Sequence, residues 1–329
     1  MTEAPIEQLM QQADDALEKG DLSTAMKLYH DVLAQDPMQD EAYTLMGAVY
    51  GEQGNVAKAV ESLTKAVEIN PANANAWLTL GLVQQQTGDE AQALDSFRNA
   101  ARNDPNDATA HFTLANLLLK QGQTEQALES YKNALRCDPK HTKALYTAAC
   151  IFKDKGDLEN AAKGFNAVLQ NTPDDLDTHR RLATTLLQLN RVDEAMDTVT
   201  SAIQKYPDDA WLYARLATVR AVQGHLVEAM AAIDQARELE PGNEDIEQRY
   251  ADILVKRGDY DKALETLRPM LESDEPVYGA IITFAQFAQD VNMVAEAKLL
   301  IERLQQQPEL NVAQRQNIEQ ALDWVTSAK

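Results

Sequence analysis

Cysteine is scarce in this 329-residue chain: Cys137 and Cys150 are the only two. They make no Cys-x-x-Cys pair and are too few for a disulfide framework, which fits a reducing compartment. Aromatics are only 6% of the residues, and glycine (13) and proline (11) are few, which favours helices over a sheet built from β-branched residues. No run approaches the roughly 18 apolar residues of a membrane-spanning helix. The start, MTEAPIEQLMQQADD, is acidic where a secretory signal is basic and then apolar. A soluble, cytoplasmic chain without membrane insertion is therefore expected. Bases are outnumbered, with 30 Lys and Arg against 52 Asp and Glu and a formal net charge of −22. So negative a chain repels phosphate backbones and anionic lipid, which argues against nucleic-acid and membrane-surface partners. Catalytic signatures are also missing: there is no Gly-rich phosphate loop, no HExxH, no GxSxG and no cysteine with a neighbouring histidine. The chain is expected to be no enzyme and to need no cofactor or metal.

The sequence is rich instead in order. Hydrophobic residues make up 44%, ample for a core. Prolines recur every 34 residues, at Pro37, Pro71, Pro105, Pro139, Pro173, Pro207 and Pro241. Setting each as the thirty-second residue of a unit gives frames 6–39, 40–73, 74–107, 108–141, 142–175, 176–209 and 210–243, with weaker frames 244–277 and 278–309. In the last two, Pro276 falls one place late and Pro308 one place early. Glycine holds the fifteenth place in seven frames, and Asn190 and Asn292 hold it in the other two. These are the residue types that tolerate a left-handed backbone, so this position ends a helix. Alanine holds the twentieth place in all nine, from Ala25 to Ala297, where a small side chain lets two helices approach closely. Each frame thus reads as helix, turn, second helix and a stop at proline.

Frame 74–107 carries the fullest pattern: Trp77, Leu80 and Gly81, then Ala93, Phe97 and Ala100, then Pro105, while frame 40–73 supplies Tyr43, Gly47 and Tyr50. This resembles the tetratricopeptide repeat, whose W-x2-L-G-x2-Y, A-x3-F and P signature has the same period. Gln84 stands where the family prefers tyrosine. The resemblance covers residues 6–309 and implies an all-α solenoid of antiparallel helix pairs forming a right-handed superhelix. First helices would line its inner groove and second helices would lie outside. One pair cannot bury its own apolar face, so neighbours supply the core. Residues 1–309 are read as nine tandem units, and 310–329 as a C-terminal capping helix with Val312, Ile318, Leu322 and Val325 at helical spacing.

A binding role points to the exposed places of the first helices, which change along the array. Glu7, Asp14, Glu41 and Glu52 make an acidic beginning. Leu78, Leu82, Phe112, Asn116, Leu119 and Tyr146 make a largely apolar floor with Lys143 and Lys153 at its flanks, and Arg180, Arg181, Trp211, Arg215 and Arg249 follow. Arg181, Arg215 and Arg249 occupy one register, 34 residues apart. If equivalent helices keep a step of about 10 Å, they span roughly 20 Å. One turn before them stand Asp177, Trp211 and Asp245, so the ladder also reads as local ion pairs and a cation–π contact. Both readings stand, as do a binding floor and a stripe buried by neighbours.

The two-carboxylate clamp of chaperone-binding members of the family is not matched. Thr184 and Arg215 stand in its asparagine places and Asp245 replaces a lysine. The asparagine ladder of the sugar-transferase superhelices is missing too. His111 and His179 share the fourth place with Trp77 and Tyr213 and read as packing, whereas His30, His141 and His225 read as surface residues. The acid pairs Asp174–Asp175 and Asp208–Asp209 read as helix caps. The expected function is a scaffold or adaptor that holds an extended or helical segment of a protein or peptide partner, including one with an acidic segment. The alternatives are a targeting or assembly subunit of a separately encoded enzyme or envelope machine, and self-association through the C-terminal repeats.

Overall fold

A computed structural model describes residues 5–273, 277–307 and 310–327. Among these residues there are nineteen α-helices, from Ile6–Glu18 to Val312–Thr326, and no strand. The chain forms two compact units, Met1–Lys155 and Gly156–Lys329. The division falls between Thr142–Asp154 and Leu158–Asn171, the two helices of frame 142–175. Each unit is a stack of antiparallel helix pairs.

The turn inside each pair is fixed by backbone chemistry. In the first pair, Gly20 N–H donates to the Leu17 carbonyl and Asp21 N–H to the Ala16 carbonyl, both at 2.8 Å, so the last carbonyls of the helix are satisfied. This closure needs a positive φ, and Gly20 has +74°. Asn190 and Asn292 adopt +57° and +55° at the same place, the conformation that asparagine tolerates better than other side-chain-bearing residues. Asp21 then caps the next helix by accepting from Thr24 N–H at 3.0 Å. One residue both closes the first helix and opens the second, so the pair folds back without a loop.

Packing follows the same frame. All nine twentieth-place alanines are fully buried, and one turn later a bulkier residue, from Tyr29 through Phe97 to Ile301, is fully buried as well. The facing first helix must be small where that residue arrives. A Cβ on Gly47 would lie 2.4 Å from Leu63 Cγ, and one on Gly81 would lie 2.6 Å from the Phe97 ring. Successive repeats are tied at the proline loop. The Pro71 carbonyl accepts from Trp77 Nε1 and from Asn103 Nδ2, both at 2.9 Å. Pro105 accepts from His111 Nε2 at 3.1 Å and Cys137 Sγ at 3.4 Å, and Pro173 accepts from His179 Nε2 and Lys205 Nζ at 2.9 Å. Trp77, His111 and His179 at the fourth place are therefore structural donors, and a carbonyl partner fixes the proton of both histidines on Nε2.

The second acid of each pair takes the capping role expected of both: Asp175 accepts from Thr178 N–H at 3.2 Å and Asp209 from Leu212 N–H at 3.0 Å, whereas Asp174 pairs with Lys205 at 2.6 Å. His141 differs from its surface reading. Its Nδ1 caps a helix by accepting from Ala144 N–H at 3.2 Å, and its ring lies 4.6 Å from that of Phe112. Pro276 and Pro308 lie outside the described residues. Pro269 stands inside Tyr260–Leu271, which ends two residues later. Val312–Thr326 opens on a capping box between Asn311 and Gln314. It buries Ile318, Ala321 and Val325 in a cluster with Phe284, Phe287 and Ile301. Burying Ile318 and Val325 contributes about 1.5–3 kcal/mol each. Val312, expected in that apolar stripe, is 75% exposed, because it sits in the first turn beyond the cluster.

Candidate partner-binding surface

In the first unit the expected floor is only partly available. Leu78 is 8% exposed and belongs to the core cluster that contains Phe97 and Leu114, so its neighbours cover it and it is corrected from floor to core. Leu82, one turn on, is 37% exposed. Phe112 is half-buried, with its ring against His141 and 6.0 Å from Tyr131. Asn116 accepts from the Tyr131 hydroxyl at 2.6 Å, and Asp14, at the same place of its repeat, accepts from Tyr29 at 3.3 Å. In these two repeats the ninth place is thus a bridge between the two helices. Burial pushes the Tyr131 hydroxyl up to about 12, so it donates at every physiological pH. Leu119, Tyr146 and Lys153 are half-buried, and Lys143 is exposed, as are Glu7, Glu41 and Glu52.

In the second unit the arginines are brought together by their first helices. Arg181 Nε donates to Asp177 at 2.7 Å, one turn back on Leu176–Gln188. Arg249 makes two bonds to Asp245, at 2.8 and 3.0 Å, and a weaker one to Thr218 Oγ1 at 3.4 Å. Arg180 pairs with Asp209, the residue that caps the next first helix. Trp211 lies between two guanidinium groups, with Arg180 Cζ 5.6 Å and Arg215 Cζ 4.6 Å from its ring. Local pairing therefore holds Arg181 and Arg249, as the spacing allowed. Arg215 differs: among the described residues no carboxylate lies within ion-pair distance of it, and its buried Nε–H, like that of Arg180, has no acceptor. Burial first, and the charge of Arg249 second, depress its guanidinium to about 10 against a smaller opposing effect of Asp245. It stays charged at neutral pH, without a counter-ion and largely without water.

Beyond Arg249 the same helices enclose a pocket of about 410 Å³ lined by Thr218, Val222, Arg249, Asp252, Lys256, Ile282 and Thr283 among others. Asp252 accepts from Thr283 Oγ1 at 2.6 Å. Burial raises its carboxyl above the ordinary range against the opposing pull of this bond, Arg249 and Lys256. Sequence reasoning passed over this pocket, although Val222 carried a signal. It is the only apolar residue at the thirteenth place of any repeat, and it is 50% exposed. A second cleft, of about 870 Å³, was also passed over. It lies in the first unit among Leu22–Gln35, Asp40–Glu52 and Val56–Ile69 and is lined by His30, Tyr43, Tyr50, Lys58, Glu61 and Lys65 among others. Nothing in the sequence marks those positions as unusual. No cluster of three His, Cys, Asp or Glu side chains suited to a metal occurs among the described residues.

The comparisons with known proteins agree with this geometry. A family model described as the Cilia and flagella-associated protein 70 C-terminal domain matches residues 3–210, and two tetratricopeptide-repeat models match 181–244 and 221–281. The chain belongs to the tetratricopeptide-repeat family. No curated protein matches. Among solved tetratricopeptide-repeat structures, the C-terminal part of a repeat protein from Cytophaga hutchinsonii is 15% identical, with 73% of this chain and 98% of that one covered and a TM-score of 0.56. YrrB, described as a TPR protein with an unusual peptide-binding site, is 18% identical over 57% of this chain and 97% of its own, with a TM-score of 0.51. MamA is 26% identical over 49% of this chain and 94% of its own, at 0.45. Tetratricopeptide-repeat proteins are generally non-enzymatic interaction scaffolds that bind protein or peptide partners. No described helix is long and apolar enough to cross a membrane.

Proposed function

We propose that the chain is a cytoplasmic, non-enzymatic adaptor that holds an extended or helical segment of a partner protein against the exposed faces of its first helices, with the surface around Trp211 as the main contact. Trp211 itself carries this reading. The second place of a repeat is filled elsewhere by Glu7, Glu41, Asn75, Thr109, Lys143, Asp177, Asp245 and Gly279, so packing of the repeat asks for no aromatic there. A half-buried indole between two guanidinium groups is a pre-ordered contact of the kind that dominates binding energy at interfaces. Peptide binding on this fold is described for YrrB. The nearby half-exposed Val222 and the pocket beside it offer room for an apolar side chain of the same segment.

Affinity capture with the whole chain, followed by mass spectrometry, tests the proposal. A partner held by the wild type and lost from Trp211→Ala, with helicity unchanged, is the expected result. Removing a central aromatic costs about 2 kcal/mol or more, roughly thirtyfold in affinity. Equal capture by both chains would move the contact away from this surface.

A further inference from the structure

We infer that Arg215 is a receptor for a single carboxylate of the bound segment. The inference rests on the adaptor reading above and deepens it. Every other arginine of this surface already has an acid: Arg180 has Asp209, Arg181 has Asp177 and Arg249 has Asp245. Four guanidinium groups thus face three carboxylates, and the surplus charge sits on Arg215. The site is short by one negative charge, which suits a carboxylate better than a phosphate dianion. Trp211 holds the guanidinium plane from one side at 4.6 Å, so the fork is oriented before the ligand arrives. The Nε–H of Arg215 is buried without an acceptor, as is that of Arg180, but the Arg215 side chain is only half-buried and has no acid, so a carboxylate against the rest of its fork supplies the missing counter-charge. The ladder of three arginines is thereby reduced to one receptor with two neighbours held in place by their own aspartates.

The probes are small and defined. The full-length chain, labelled with 15N, is titrated at constant ionic strength with sodium acetate, with inorganic phosphate, with a blocked peptide carrying one glutamate, with its glutamine counterpart, and with a free-acid alanine peptide. The side-chain Nε–H signals of the arginines are followed. Acetate and at least one of the two carboxylate peptides are expected to shift Arg215 saturably and to leave Arg181 and Arg249 in place. Which peptide binds tells whether a side chain or a chain terminus supplies the carboxylate. Arg215→Lys is expected to weaken the effect about tenfold, and the glutamine peptide to be inert. Tighter binding of phosphate than of acetate, equal movement of all the arginines, or no movement at Arg215 overturns the inference. Partner capture separates this from the adaptor reading. Loss of the partner by Trp211→Ala but not by Arg215→Gln removes the receptor and keeps the adaptor, whereas retention by both variants removes both.

Discussion

Burial works against the charged form of two residues of the second unit, Arg215 and Asp252, and that cost is measurable. The Asp252 carboxyl is raised by burial, so the folded chain binds its proton more tightly than the unfolded chain does. Its contribution to stability is fully present below the ordinary carboxylate value of 3.8 and is lost as pH rises through the raised one. Asp252→Asn, which keeps an acceptor for Thr283, should therefore melt higher than wild type at pH 7, with the gap closing toward pH 4; melting curves across this range check it. Arg215 carries the opposite sign, because a depressed base destabilises the fold at every pH below about 10. Arg215→Met should fold with no loss of stability, since a buried charge without a partner is exchanged for a side chain of similar length. A loss of 2 kcal/mol or more in urea titration would mean that the guanidinium has a partner in the free protein. The same residues mark the limits of the sequence. Arg181 with Asp177 and Arg249 with Asp245 were legible at a spacing of four. The pairing of Arg180 with Asp209, 29 residues on, was not, because it depends on how one repeat lies against the next. Nor was the bond from Tyr131 to Asn116, which leaves the asparagine less free to meet a ligand.

Helices and turns were the most legible element of the chain, because each repeats the same physical demand nine times. A left-handed residue at the fifteenth place and alanine at the twentieth describe a hairpin with little dependence on its surroundings. The close approach at Gly47 and Gly81 makes this testable. Alanine gains about 1 kcal/mol of helix propensity over glycine. Overpacking a core typically costs about 1–3 kcal/mol, and the atoms met are the branch point of Leu63 and the ring of Phe97, which yield little. Gly47→Ala and Gly81→Ala should each destabilise the chain by about 1–2 kcal/mol in chemical denaturation, and the pair should add, because the sites lie in different repeats. The fourth place was read as packing and proved to be a donor as well. Trp77→Phe keeps the packing but leaves the Pro71 carbonyl with Asn103 alone, so a loss of about 0.5–1.5 kcal/mol is expected. The C-terminal pairs were less legible because Pro269 interrupts the pattern there.

Over the whole molecule, the repeat explains the fold, and the departures from the repeat carry the proposed function. The alanine that every repeat carries at the twentieth place is buried. Trp211 and Val222 break their columns and remain at least partly accessible, whereas Arg215 shares its column with Arg181 and Arg249 and differs from them in having no acid of its own. A net charge of −22 argues by composition against an acidic partner, yet this surface carries one unmatched positive charge. The most direct measurement uses a photo-crosslinking amino acid at one position in each of two otherwise unchanged chains. One replaces Val222, on the proposed contact face, and the other replaces Val227, on a second helix and 85% exposed. Crosslinking at Val222 to one defined segment of a partner, abolished by Trp211→Ala and absent at Val227, is the predicted result. Crosslinking of that segment at Val227 and not at Val222 would contradict the account.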